Sequence, residues 1–207
     1  PPTDPDTQAR FDAGHEIGAI AQRLYDPDAT GLLIGHDKGM SAALRDTNRA
    51  LTNPSVTPLF EATFERSGLL VRTDILERDA GAGQNRVIEI KSSTGVKDEH
   101  ITDCAIQAWV LEKTPARPES VALGHINNQF RYPGGGDYRG LLAEQDITAQ
   151  VGAELGEVPG WLRAAQAALT GPEPSVTIGT RCRSPYECPF IGYCWPKTDY
   201  PLSTLPS

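Results

Sequence analysis

Apolar and polar positions along the chain follow two rhythms, and the points where one gives way to the other mark its elements. From Ala9 to Tyr25, ARFDAGHEIGAIAQRLY sets Phe11, Ile17, Ala21 and Leu24 at near-helical spacing, with Asp26-Pro27 closing the run. This predicts an amphipathic helix. DPDATGLLIGHD places turn residues around a short apolar run, a loop with one extended piece. KGMSAALRDTNRALTN predicts a second helix, stopped ahead of Pro54 because a residue preceding proline is pushed out of the helical region. TPLFEATFERSGLLVRTDILERD predicts two strands joined at Ser67-Gly68, with Phe60, Ala62 and Phe64 on the apolar side of the first. AGAGQN is a loop and RVIEIKSS a third strand.

DEHITDCAIQAWVLEKT returns to helical spacing, offering Ile101, Ala105, Ala108 and either Val110 or Leu111 for packing. SVALGHINNQF predicts a fourth strand. The glycines of YPGGGDYRG form a loop, and with no Lys-Ser or helix opening behind them they carry no phosphate-binding signature. DITAQVGAELGEVPGWLRAAQAAL predicts a helix or helical pair interrupted at Val158-Pro159-Gly160, and from Thr170 the chain is dense in proline and cysteine. The order of elements predicts an α/β fold: a core over residues 9–169 and a Pro- and Cys-rich tail over residues 170–207.

A chain of 207 residues with 39% hydrophobic and 22% charged content can bury one substantial core. No apolar run approaches the roughly 18–20 residues that span a bilayer, and the start PPTDPDTQ lacks the basic and apolar regions of a secretory signal. The expectation is no membrane and a cytoplasmic location. A net charge of -8 excludes coating of nucleic acid by bulk electrostatics. Bound divalent metals or a local basic groove can still reverse the field at one site, and Arg66, Arg72, Arg78, Lys91 and Lys97 bring positive charge to the middle of the chain.

One strand does not fit a purely structural role. In VIEIKSSTG, Ile88 and Ile90 point to one face while Val87, Glu89 and Lys91 point to the other. Alone, Glu89 and Lys91 read as a solvated ion pair worth under about 1 kcal/mol. Asp74 changes this, because it lies near the end of the preceding strand. If the two strands are antiparallel neighbours, Asp74, Glu89 and Lys91 can converge at one end of the sheet. Two carboxylates beside the carbonyl of Ile90 suit Mg2+ or Mn2+. Lys91 could then orient or deprotonate water and steady charge developing on a phosphate.

RTDIL, EIKSSTGVKD and DCAIQ, in this order, resemble the motifs of the PD-(D/E)xK nuclease superfamily, closest to its RecB-like and CRISPR-associated iron-sulfur branches. The resemblance runs from about Phe11 to Cys194. It implies a restriction-endonuclease-like αβββαβ core with a central mixed sheet and a helical, cysteine-bearing C-terminal tail. It also implies a metal-dependent deoxyribonuclease acting on single-stranded or end-bearing DNA, with a helicase or second nuclease domain as partner. On this resemblance Asp74 and Glu89 bind metal, with Ile90 contributing its carbonyl, and Lys91 is the catalytic lysine. Gln107 matches the glutamine of the Gln-x-x-x-Tyr helix motif, although Leu111 stands where the tyrosine is expected.

His15, in FDAGHEIG, matches the helical histidine that RecB-like members use as a further metal ligand; otherwise it is a surface or packing residue. Glu61 is either a supporting carboxylate, a ligand for a second metal, or a polar residue on an exposed strand face. Ser92, Ser93 and Thr94 could bond phosphate oxygens or simply end the strand. His125 and Asn127 share a face of the fourth strand, bordering the substrate groove or serving structure alone.

Cys182, Cys188 and Cys194 follow one another with five residues between successive members. Pro185, Pro189, Tyr186, Phe190 and Tyr193 would shape a compact loop around anything the thiolates held. Their arrangement resembles the C-terminal half of the iron-sulfur clasp of those nucleases, and Cys104 is the remaining candidate for a fourth ligand. A 4Fe-4S cluster, a Zn2+ site lacking the usual Cys-x-x-Cys knuckle, and reduced packed cysteines are the three readings. The rival functions are a weak or inactive module of the same fold that binds nucleic acid or a protein partner, and an iron-sulfur scaffold that uses the sheet as support.

Overall fold

The computed structural model describes residues 5–184, apart from residues 80 and 82, and residues 187–195; the side chains of residues 5–7 and 10 lie outside that description. Pro185 and Tyr186 of the cysteine loop also fall outside it. The chain divides into two compact units, Pro1–Leu162 and Arg163–Ser207.

The first unit is an α/β domain with a six-stranded mixed sheet in the order β1-β2-β3-β4-β5-β6. Helix α1 (Pro5–Tyr25) is followed by the short β1 (Leu32–Leu33), α2 (Met40–Leu51), β2 (Leu59–Arg66), β3 (Leu69–Asp79) and β4 (Gln84–Lys91). Helix α3 (Asp98–Leu111) then crosses to β5 (Ser120–Ile126), and β6 (Leu142–Asp146) precedes α4 (Thr148–Glu154) and α5 (Val158–Thr170).

Ser67 and Gly68 both have positive φ, 58° and 81°, the backbone that lets a two-residue turn match the twist of its strands, so β2 and β3 form the expected hairpin. Strands β3 and β4 are antiparallel, as the sequence required for Asp74 and Glu89 to meet. Strands β4 and β5 are parallel, which a crossover such as α3 makes possible.

Alternation along the strands divides the core. Leu59, Ala62, Leu76, Val87 and Leu123 pack with Ile101, Ala105, Ala108 and Leu111 of α3. Phe60, Ile75, Ile88 and Ala122 instead pack with Ala21 of α1, beside Tyr25 and Ile90. Leu59 and Ala62 thus share a cluster although they are three residues apart. The break falls at Glu61, a non-glycine residue with φ of 58°, and the paired positions step from Phe60–Ile75 to Ala62–Thr73. Such a conformation in a strand is held only where the surroundings enforce it.

Two expectations need correction, and one strand was not anticipated. The fourth predicted strand stops at Ile126, so Asn127 begins a turn and does not share a strand face with His125. Strand β6 was not legible, because LAEQD is a polar edge strand with no buried face to set its rhythm. The interruption at Val158-Pro159-Gly160 is the opening of α5, where a proline in the first turn loses no helical hydrogen bond. Among the described residues, no helix is long and apolar enough to cross a membrane.

Candidate active site

Glu89 projects from β4 toward α3 and is only 6% exposed. Its Oε1 accepts a hydrogen bond from Lys91 Nζ at 2.7 Å, and its Oε2 accepts one from Gln107 Nε2 at 2.8 Å. Lys91 Nζ also donates to Asp103 Oδ2 at 2.7 Å. Asp103 and Gln107 are one turn apart on α3, so that helix presents an acceptor to the lysine and a donor to the glutamate from the same face. The Glu-x-Lys pair is therefore a partly buried network, in which each charge has a partner. Asp103 is one residue that the sequence reading missed, although it opens the quoted DCAIQ stretch.

Burial works against the Lys91 ammonium, but Glu89 and Asp103 more than offset it and hold its pKa well above the usual lysine range. A lysine held this way remains a cation near neutrality. Such a cation suits stabilisation of negative charge better than deprotonation of water.

Asp74 links this network to the sheet. The β3–β4 ladder ends at Ile75 and Ile88, and the Asp74 carboxylate takes the next amide, accepting from Ile90 N at 2.7 Å. Burial raises the pKa of Asp74, and the Glu89 charge raises it further; burial also raises that of Glu89. Two carboxylates that resist ionisation, placed close enough to repel, are the electrostatic condition that a divalent cation relieves.

Beside Asp74 opens a cavity of about 420 Å³, bordered by His15, His36, Glu61, Arg72, Asp74 and Ile90. Arg72 Nε lies 2.8 Å from Glu61 Oε2, yet that buried oxygen has no aligned hydrogen-bond donor. Glu61 is thus already balanced by the Arg72 guanidinium, while the carboxylates and imidazoles bordering the cavity are donors of the kind that Mg2+ or Mn2+ accepts. His36, whose Nε2 lies 2.8 Å from Thr63 Oγ1, was read only as part of a loop. The end of α1 is fixed to the sheet through the Tyr25 hydroxyl, which donates to Glu144 Oε1 at 2.6 Å, and Glu144 in turn pairs with Arg86. A larger hollow of about 600 Å³, beside Glu77, Arg78 and Asp79, contains none of the expected site residues.

The structure thus brings Asp74, Glu89, Lys91 and Gln107 into one neighbourhood, and sets His15, Glu61, Asp74 and Ile90 around one cavity. Among the described residues, however, no three His, Cys, Asp or Glu side chains stand together as a metal-holding group. Ser93 donates through Oγ to Gly95 O at 2.8 Å, the strand-ending role. His125 lies level with Lys91 on the neighbouring strand, its Nδ1 3.2 Å from Ile126 O.

In the second unit, Cys182, Cys188 and Cys194 border an apolar hollow of about 420 Å³ together with Ile178, Phe190 and Tyr193. Cys188 N donates to Cys182 O at 2.9 Å, which draws that turn together. Cys104 is a buried core residue of the first unit, and burial followed by the Glu89 charge holds its thiol pKa well above the usual range. That environment suits a packed thiol better than a thiolate ligand. All four cysteines are free of disulfides.

The fold and site together define an α/β domain with a mixed sheet and a buried carboxylate–lysine network. No protein-family model matches the chain, and none of the curated proteins does. Among solved structures, the chain is similar to one described as a crystal structure of SSO0001, at 18% identity over 81% of each chain and with a TM-score of 0.29. A likeness at that level carries no argument about this chain.

Proposed function

We propose that this chain is a metal-dependent nuclease with a restriction-endonuclease-like core, hydrolysing phosphodiester bonds in DNA that is single-stranded or has free ends. The observation that carries the reading is the Asp74 carboxylate bound to the amide that separates Glu89 from Lys91. It places two acidic side chains and a cation around one short segment. The run of β2, β3, β4, α3 and β5 behind α1 and α2 also supports it, as the order expected of such a core.

Asp74, Glu89, the Ile90 carbonyl and His15 would hold Mg2+ or Mn2+, with Glu61 the nearest further carboxylate. Such an ion polarises a phosphate and makes water a competent nucleophile near neutral pH. Lys91 offsets negative charge accumulating on the phosphate as the water attacks in line. Gln107 fixes the carboxylate of Glu89, and Asp103 fixes the position of Lys91.

Labelled single-stranded, double-stranded and closed circular DNA, incubated with the protein in manganese, tests this reading. Cleavage of the linear substrates is expected, with none in EDTA. Intact DNA in every metal, with folded protein, would overturn it. A non-catalytic module remains the second reading, favoured by the absence of a preassembled ligand trio among the described residues.

For the tail we propose that Cys182, Cys188 and Cys194 hold a 4Fe-4S cluster, with Zn2+ as the alternative and the fourth ligand drawn from elsewhere than the core thiol of Cys104. A cluster there would tie the tail together. Protein purified without oxygen should show broad visible absorption that bleaches on reduction. Colourless protein with bound zinc would assign the alternative, and colourless metal-free protein would leave packed thiols.

A further inference from the structure

The loop between β5 and β6 holds a pair of aromatic rings in place at the surface. It springs from the site's end of the sheet: Ile126 N donates to Ser93 O at 2.8 Å, just beyond Lys91, and Asn127 N donates to Leu141 O at 2.8 Å to close its base. Within it, Gly134, Gly135 and Gly136 all have positive φ (96°, 66° and 79°), a fold-back that side chains would resist. That fold-back allows Tyr132 and Tyr138 to stack, with centroids 5.0 Å apart and planes 23° from parallel. The Tyr132 hydroxyl is fixed as well, accepting from Gly136 N at 2.7 Å.

Despite both restraints, Tyr132 is 52% exposed. A ring that is immobilised and still open on one side has already lost the freedom that binding would cost, the condition for a stacking platform. Two arginines flank it within the loop, against a single aspartate, so this segment is locally cationic on a chain of net charge -8. Arg139 stays 85% exposed while paired with Asp137, and Arg131 lies next to Tyr132. Aromatic faces interleaved with guanidinium groups recognise unpaired bases and their phosphates, whereas a duplex keeps its bases stacked inside and cannot use such a platform.

We propose that the Tyr132–Tyr138 pair stacks against an unpaired base of single-stranded DNA and leads the strand toward Lys91. The inference rests on the nuclease reading and names its substrate: a single strand. A short oligothymidylate containing one 2-aminopurine, mixed with the protein in calcium, reports both affinity and stacking. The fluorescence should be quenched on binding. Tyr132→Ala should weaken binding by about 10-fold and abolish the quench, as expected for loss of one base–aromatic contact, while Tyr132→Phe, which keeps the ring but not its hydroxyl restraint, retains the quench with a smaller loss of affinity.

Duplex affinity should not change in either variant. Tyr132→Ala protein that binds and quenches like the wild type, equal losses on single strand and duplex, or a wild type that does not bind single strands at all would each overturn the inference. Hydrolysis of bis(p-nitrophenyl) phosphate by unaltered protein in manganese judges the nuclease reading separately. Hydrolysis without a Tyr132 effect removes only the platform, and Tyr132-dependent binding without hydrolysis removes only the nuclease.

Discussion

Lys91→Met should reduce manganese-dependent DNA cleavage by about 100- to 1,000-fold, the usual cost of deleting one preorganised charge that faces the transition state. The variant should remain folded and become less stable in a pH-dependent way. Lys91 bonds to both Glu89 and Asp103, but the two carboxylates do not lose equally. Asp103 is 46% exposed and can be solvated, whereas Glu89 is buried and retains only Gln107. Burial raises the Glu89 pKa and the Lys91 charge pulls it down, so the variant keeps the first effect and loses the second.

A carboxyl whose folded-state pKa lies above its unfolded value contributes stability that is fully present below the unfolded pKa and lost as pH rises through the folded one. The variant should therefore melt close to the wild type near about pH 4, where Glu89 is protonated in both. It should fall behind by about 3 kcal/mol near neutrality, where the buried carboxyl has lost the cation that offset its burial. Thermal melts across this range, alongside cleavage assays, separate the two effects. Undiminished cleavage would remove Lys91 from the mechanism, and a stability gap that does not change with pH would show that Glu89 is not the group left exposed to the loss.

What could be read from the chain depended on whether the physics was local. The β2–β3 hairpin was legible because Ser67-Gly68 sits between two alternating runs, and the two faces of β4 because alternation needs no partner. The convergence of Asp74 with Glu89 could be anticipated once those strands were taken as antiparallel. By contrast, His36 reaches the same cavity from a loop and leaves no periodic trace, and the positive φ that turns the strand at Glu61, itself a candidate from the sequence, could not be read from it. Asp103 was within reach: it lies four residues before Gln107, so both must share a helical face. Its contact with Lys91 becomes visible only when α3 is laid over the end of β4. Strand β6 is held by pairing with β5 and by the bonds of Glu144 to Tyr25 and Arg86, and such long-range contacts leave no signature in a polar pentapeptide.

Asp74→Asn should abolish cleavage and, unlike most active-site substitutions, make the metal-free protein more stable. The amide oxygen of asparagine can accept the Ile90 N–H that Asp74 now holds, so the β3–β4 junction survives. What disappears is a buried carboxyl whose pKa is raised first by burial and then by the charges of Glu89 and Glu61. In the wild type, ionising that group costs stability as pH rises through its folded-state pKa; the neutral amide has no such cost. Near pH 8 the variant should melt higher, by about 2–4 °C for each kcal/mol relieved in a chain of this size. The difference should close in acid, where wild-type Asp74 is protonated as well.

Manganese should reverse the order. Binding to the wild type adds stability by mass action, about 2.7 kcal/mol at one hundred times the dissociation constant, while the variant lacks an anionic ligand and gains little. The wild-type gain should itself increase with pH, because binding must displace protons from Asp74 and Glu89. Melts with and without manganese at two pH values contain the whole test. If Asp74→Asn lowers the melting temperature without metal, the carboxylate is a clamp for the strand. If manganese raises both proteins equally, the ion binds elsewhere and Asp74 is not its ligand.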